Sequence, residues 1–110
     1  MTEETPHAVT ERFYRMLGLA RRAGKTVLGT SVICEQMRAK KKPVLILVSS
    51  FASEGTRRRL FRKSSFYNIP CLTVESPCDV LGHLMGVPGT LAAVAVTDPG
   101  FARELSLECK

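Results

Sequence analysis

Tryptophan is absent from the 110 residues, histidine occurs twice, and the four cysteines include no C-x-x-C pair. Cys34, Cys71, Cys78 and Cys109, with His7 and His83, complete no zinc-ligand spacing, so no metal site is expected. The cysteines read as free thiols of a reducing compartment, with Cys34 and Cys71 as small core residues. No apolar run approaches bilayer length, and the chain opens on Glu3 and Glu4 where a leader would be basic. The expectation is a soluble cytoplasmic protein with no membrane partner. No paired acid and base, no Ser/His/Asp set in a suitable context and no metal cluster appears, which argues against an enzyme, a cofactor or a small-molecule substrate. Repeats, low-complexity tracts and linkers are missing too. The length fits one domain, residues 1–110, with a single modest core and short loose termini.

One stretch imitates a nucleotide-binding motif. In "LGLARRAGKTVLG", residues 17–29, the Gly24-Lys25-Thr26 run resembles the end of a phosphate-binding P-loop. The glycine required five positions earlier is replaced by Leu19, and Gly18 is one residue out of register. A P-loop also follows a strand and opens a helix, whereas here a helical pattern comes first: Val9, Phe13, Met16, Leu17 and Ala20 recur on one stripe. Gly24 is therefore expected to end that helix in a left-handed conformation, with Arg21, Arg22 and Lys25 around the negative end of its dipole.

What the chain has in abundance is positive charge, and it is segregated. Residues 12–63 hold fourteen basic side chains against two acids, Glu35 and Glu54; the remainder holds two against eight. A net +12 segment beside net −6 flanks points to a polyanionic partner. Basic residues spread for solubility alone would not require such a division.

Helices and strands alternate along the chain. After a short strand at Thr26–Leu28, "SVICEQMRAK" fits a helix with Ser31 as N-cap, and Gly29 precedes it as a permissive hinge. "VLILVSS" is an aliphatic run suited to a central strand covered on both faces. A helix from Ser53 to Asn68 is closed by Pro70, and a strand "CLTV" follows. Ser76 as N-cap with Pro77 in the first helical position opens a helix to about Met85. "TLAAVAVTD" gives a last strand, and a short helix runs from about Pro99 to Leu105. Strands too apolar to be half exposed, alternating with helices, predict an α/β fold: a three-layer α/β/α sandwich around a mixed sheet of about four strands.

On the helix at residues 53–68, Arg58, Arg59, Arg62 and Lys63 fall within an arc of about 140°, with Leu60, Ser64 and Tyr67 opposite. Phe66 lies inside the basic arc, where it either stacks on a base or packs under a neighbouring loop. A second basic run, Arg38 with Lys40, Lys41 and Lys42, follows the preceding helix and also complements its dipole.

"LGLARRAGKTVLGT", "PVLILVSS", "ASEGTRRRL", "FYNIP", "VLGHLMG" and "VAVTDPGFA", in this order, resemble the ribosomal protein L-seven-Ae and L-thirty-e superfamily, most closely its small bacterial single-domain members. The resemblance covers about residues 13–105. It implies a non-enzymatic RNA-binding protein, typically of kink-turns, associated with ribosomes or translation factors. It places RNA contacts at the loop and helix start after the first strand, Gly29, Thr30, Ser31, Val32 and Glu35. A second, apolar loop after the L-G-x-x-x-G segment supplies Gly86, Val87, Pro88, Gly89 and Thr90. Lys25, Arg38, Arg58, Arg59 and Arg62 complete the expected RNA-binding set on charge grounds. Kink-turn binders place a polar or acidic pair near Ser31 and Val32 and a lysine where this chain has Glu35. Val32 has no hydrogen-bonding side-chain atom and Glu35 repels phosphate, so either the RNA differs, or contact moves to the arginine-rich helices, or kink-turn recognition is weakened. The alternative class is a protein-interaction module of the same fold that docks an acidic ribosomal or translation partner, since carboxylate satisfies arginine as phosphate does.

Overall fold

The expected alternation of elements closes, in a computed structural model describing residues 2–109, into a sheet of five strands between two helical layers. In chain order the elements are β1 (Thr2–His7), α1 (Glu11–Arg22), β2 (Thr26–Leu28), α2 (Thr30–Arg38), β3 (Leu45–Ser49), α3 (Glu54–Tyr67), β4 (Cys71–Val74), α4 (Cys78–Met85), β5 (Ala93–Val96) and α5 (Pro99–Leu107). The strands lie in the order β1-β4-β3-β5-β2. β1, β4 and β3 pair in parallel, while β5 runs antiparallel to both β3 and β2.

Strand residues alternate between two cores, as the two-residue period of a strand requires. Leu45, Leu47, Val94 and Val96 point to the layer that supplies Phe13, Leu17, Leu81, Met85 and Leu105 from α1, α4 and α5. Ile46, Val48, Ala93 and Ala95 meet Ile33, Met37, Leu60 and Phe61 from α2 and α3. Cys34 and Cys71 are buried in this second core, and desolvation pushes the Cys71 thiol up to about 12, that of an inert core residue.

Several local expectations are corrected. The N-terminal residues taken as loose form the edge strand β1, which is why the sheet has five strands and not about four. Its sequence, TEETPH, has no hydrophobic alternation. Backbone pairing holds it against β4, and the register shifts between Glu3 and Pro6, as a proline on an edge strand permits. Val9 falls before α1 and bridges to Cys109. The N-cap of α2 is Gly29, not Ser31, which lies inside the helix. Pro77 is the cap of α4 and not its first helical residue. Ser76 is buried, its hydroxyl accepting from Tyr14 Oη at 2.8 Å. The expected end of α1 is present in full: Gly24 has φ +72°, its N–H donates to Arg21, and the Lys25 N–H donates back to Ala20, the paired bonds of a Schellman turn.

Because β2, β3 and β4 run the same way, each delivers its following helix at the same edge of the sheet. Three hydrogen bonds draw this edge together: Gly29 N–H to the Ala93 carbonyl (3.3 Å), Ser49 N–H to Ala92 (2.8 Å) and Leu91 N–H to Cys78 (3.0 Å). The starts of α2, α3 and α4 and the approach to β5 thus share one rim. Lys25, Lys40, Lys41, Lys42 and Asn68 lie toward the opposite rim, where β2, β3 and β4 begin.

Candidate nucleic-acid interface

The helix starts at the shared rim are not equivalent. Ser53 caps α3 by accepting the Thr56 N–H, and Glu54 in its first turn binds Arg58 at 2.6 Å. α4 lacks a side-chain cap but carries Asp79 in its first turn, where it disfavours a second anion. α2 has neither device: its cap is a glycine, no side chain closes it and no acid stands in its first turn. The N–H groups of Thr30, Ser31 and Val32, which a helix cannot satisfy internally, therefore lack a side-chain cap beneath the positive end of the dipole. Gly29 holds this entry at φ +93°, ψ 141°, a conformation L side chains rarely adopt, so bulk there strains the backbone besides blocking approach.

The loop at residues 86–90 is folded back along α4. Gly86 at φ +75° ends the helix, Val87 N–H donates to Gly82, and a Cβ at Gly82 would run into the Gly89 carbonyl oxygen. The spacing of the L-G-x-x-x-G segment has this cause: its first glycine admits the loop and its second reverses the chain. Thr90 leads directly into Leu91, Ala92 and Ala93, and the last of these bonds Gly29. Gly86, Pro88, Gly89 and Thr90 are exposed and Val87 is half-buried. Ser31, Val32 and Glu35 are exposed on α2, Glu35 one turn beyond Ser31.

Two residues at this rim escaped the sequence reading. Phe51, 65% exposed, sits in the turn between β3 and α3. The turn is pinned by the buried Ser49, whose hydroxyl donates to the Ser76 carbonyl and accepts the Phe51 N–H at 3.0 Å. Arg57 lies over the same turn, its Nε donating to the Ala52 carbonyl at 3.2 Å, and its remaining nitrogens bind no group among the described residues. The only sequence signals were an aromatic after a strand and the first of the three arginines in "TRRR".

The expected RNA-binding residues fall into three places. Gly29, Thr30, Ser31, Val32, Glu35 and the loop 86–90 belong to the rim and to the segment joined to it. Arg38, Arg59 and Arg62 are exposed on the outer face made by α2 and α3, where Arg58 is occupied by Glu54. Lys25 stands apart: β2 carries the chain from the far rim to the near one, so Lys25 and Gly29 lie at opposite ends of that strand. Its N–H is used in the turn ending α1 and its carbonyl accepts from Thr97. The basic segment of the sequence is split between the layers: Arg12, Arg15, Arg21 and Arg22 lie on α1, while Arg57, Arg58, Arg59, Arg62 and Lys63 lie on α3.

Among the described residues no group of three or more His, Cys, Asp or Glu side chains could hold a metal, and no helix is long and apolar enough to cross a membrane. The fold recurs in solved structures. A protein with unknown function from Bacillus halodurans C superposes with a TM-score of 0.80 at 28% identity, covering 89% of this chain and 96% of that one. The Giardia lamblia 15.5kD RNA binding protein shares the fold at a TM-score of 0.72 and 11% identity, covering 91% of this chain and 89% of that one. Two curated proteins are similar in sequence. RNA-binding protein YlxQ of Bacillus subtilis (strain 168) is 37% identical over 93 residues, 84% of this chain and 90% of its own length. RNA-binding protein YlxQ of Enterococcus faecium is 30% identical over 94 residues, 86% of this chain and 87% of its own. With residues 11–106 matching the pattern of the Ribosomal protein L7Ae/L30e/S12e/Gadd45 family, and the fold agreeing, the chain belongs to that family.

Proposed function

We propose that this protein is a non-enzymatic, cytoplasmic RNA-binding protein that recognises structured, kink-turn-like RNA at the rim where α2 begins, in association with the ribosome or translation factors. The observation that carries this reading is the start of α2, uncapped and free of acids, in a family whose relatives include proteins named for RNA binding. Phosphate at a sharp bend of RNA would receive the N–H groups of Thr30, Ser31 and Val32, which are aligned by the helix without reorganisation. Bases splayed from the bend would meet the apolar surface of Val32, Phe51, Val87 and Pro88. Since Val32 cannot hydrogen-bond, polar reading of base edges at this point falls to the hydroxyls of Thr30 and Ser31. Glu35, one turn along, excludes phosphate from the middle of α2 and confines it to the first turn. Arg57, Arg59 and Arg62 add attraction for flanking phosphates without selecting sequence.

Titration of the protein with a kink-turn RNA and a straight duplex of equal length tests the reading. Tighter binding of the kinked RNA is expected at every salt concentration. Equal affinity for the two would reduce the site to a general phosphate binder. Binding of neither RNA, with capture of an acidic ribosomal protein, would establish the protein-docking alternative instead.

A further inference from the structure

At the rim opposite the start of α2, an aromatic side chain stands exposed among cations. Phe66 is 78% exposed, the most exposed of the large hydrophobic residues among those described, and belongs to neither core. It does not pack under a loop, which removes the structural role open to it from sequence. Arg59 and Arg62 precede it by seven and four residues and so share its helical stripe; neither forms an ion pair among the described residues. Its neighbourhood is ordered by contacts. The Phe66 and Tyr67 rings meet edge to face with centroids 4.9 Å apart. Lys42 Nζ lies 5.2 Å from the Tyr67 ring centroid and donates to the Ala39 carbonyl at 2.9 Å. Gln36 Nε2 fixes the Lys41 carbonyl at 2.6 Å. The lysine segment 40–42 is thereby held beside the aromatic pair, with Lys40 and Lys41 exposed.

We propose that Phe66 is a stacking platform for an unpaired nucleobase, and that Arg59, Arg62, Lys40 and Lys41 hold the flanking phosphates of a single-stranded RNA segment. The inference rests on the RNA reading above and extends it to a second contact at the far end of α3, a helix about 21 Å long. An exposed aromatic ring beside exposed cations matches the chemistry of a single strand, whose bases present their faces and whose backbone presents charge. A duplex offers phosphates but no open base face. Of the acids of α2 and α3, Glu54 opens α3 and is neutralised by Arg58, while Glu35 stands in the middle of α2, five residues before Lys40.

The absence of tryptophan from the chain supplies a clean probe, because Phe66→Trp introduces a single indole at the platform. Parent, Phe66→Ala and Phe66→Trp proteins are titrated with a ten-nucleotide oligouridine and with a blunt-ended kink-turn RNA, and thermal melts confirm the fold of each. Phe66→Ala should weaken oligouridine binding about tenfold and leave the blunt kink-turn RNA unaffected, while indole emission of Phe66→Trp is quenched by oligouridine. Unchanged oligouridine affinity in Phe66→Ala, or indole emission that does not respond at saturation, would overturn the inference. A parent protein that binds the kink-turn RNA but not oligouridine removes this second contact and leaves the proposed function standing. Binding of neither probe overturns both.

Discussion

The rim at the start of α2 and the outer face of α3 lie on adjoining parts of one small domain and offer opposite kinds of anion contact. At the rim the donors are backbone N–H groups, fixed by helix geometry, with Val32 and Phe51 exposed on the same rim. On α3 they are long side chains, Arg59 and Arg62, exposed and unpaired among the described residues. Fixed donors discriminate shape, since a phosphate must arrive along the helix axis and in step with neighbouring bases. Flexible cations contribute attraction that is insensitive to sequence and steeply sensitive to salt. On the proposed reading one fold separates recognition from affinity, which requires a selective region without competing ions, and the start of α2 is uncapped and acid-free where α3 and α4 are not.

The sharpest way to break this comparison is to give α2 the acid it lacks. Ser31→Glu would place a carboxylate in the first turn, where it stabilises the helix by roughly 0.3–1 kcal/mol through the dipole and competes with phosphate for the same donors. Affinity for kink-turn RNA should fall at least tenfold, on the order of 1.4 kcal/mol, while the melting temperature stays level or rises. Binding and stability moving together would show that the rim is not the phosphate site. A second change tests the loop 86–90. Gly82→Ala drives a methyl group into the Gly89 carbonyl and should cost about 1–3 kcal/mol of stability, read by denaturant unfolding. In protein that remains folded, discrimination between kinked and straight RNA should shrink as the loop shifts.

On α3 the expected signature is in salt dependence. Arg59→Ala with Arg62→Ala should reduce the slope of log affinity against log salt by about 0.7 for each phosphate no longer neutralised on single-stranded RNA, with roughly equal losses on all sequences. Ser31→Glu should leave that slope nearly intact, because backbone donors carry no net charge. Were the slope unaffected by both arginines, the basic face would play no part in binding. The smallest effect is expected from Glu35→Lys, which removes a repulsive charge one turn from the donors and should strengthen binding a few-fold at low salt. Tighter binding of the straight duplex alone would show that Glu35 faces away from the bend.

The two regions also differed in how far they could be read from sequence. The basic stripe of α3 follows from helical periodicity, and the structure exposes Arg59, Arg62 and Phe66 as that period requires. The rim became visible only through family resemblance, because its defining property is a missing cap. Ser31 offered a conventional N-cap two residues late and concealed the role of Gly29. Phe51 was passed over because its presentation depends on the bond from Ser49 to Ser76, a contact between distant parts of the chain. Lys25 joined the expected set on charge alone, yet the three residues of β2 put it at the rim opposite Gly29. β1 lacked any hydrophobic signal, since backbone pairing suffices to hold an edge strand.

The most direct test of the rim as the recognition site is amide chemical-shift mapping of isotopically labelled protein titrated with kink-turn RNA, with the straight duplex as reference. The account predicts that the largest shifts specific to the kinked RNA fall on the N–H groups of Thr30, Ser31 and Val32 and on the loop 86–90, whereas Arg59 and Arg62 respond to both RNAs. Kink-specific shifts confined to α3, with Thr30, Ser31 and Val32 unmoved, would contradict it.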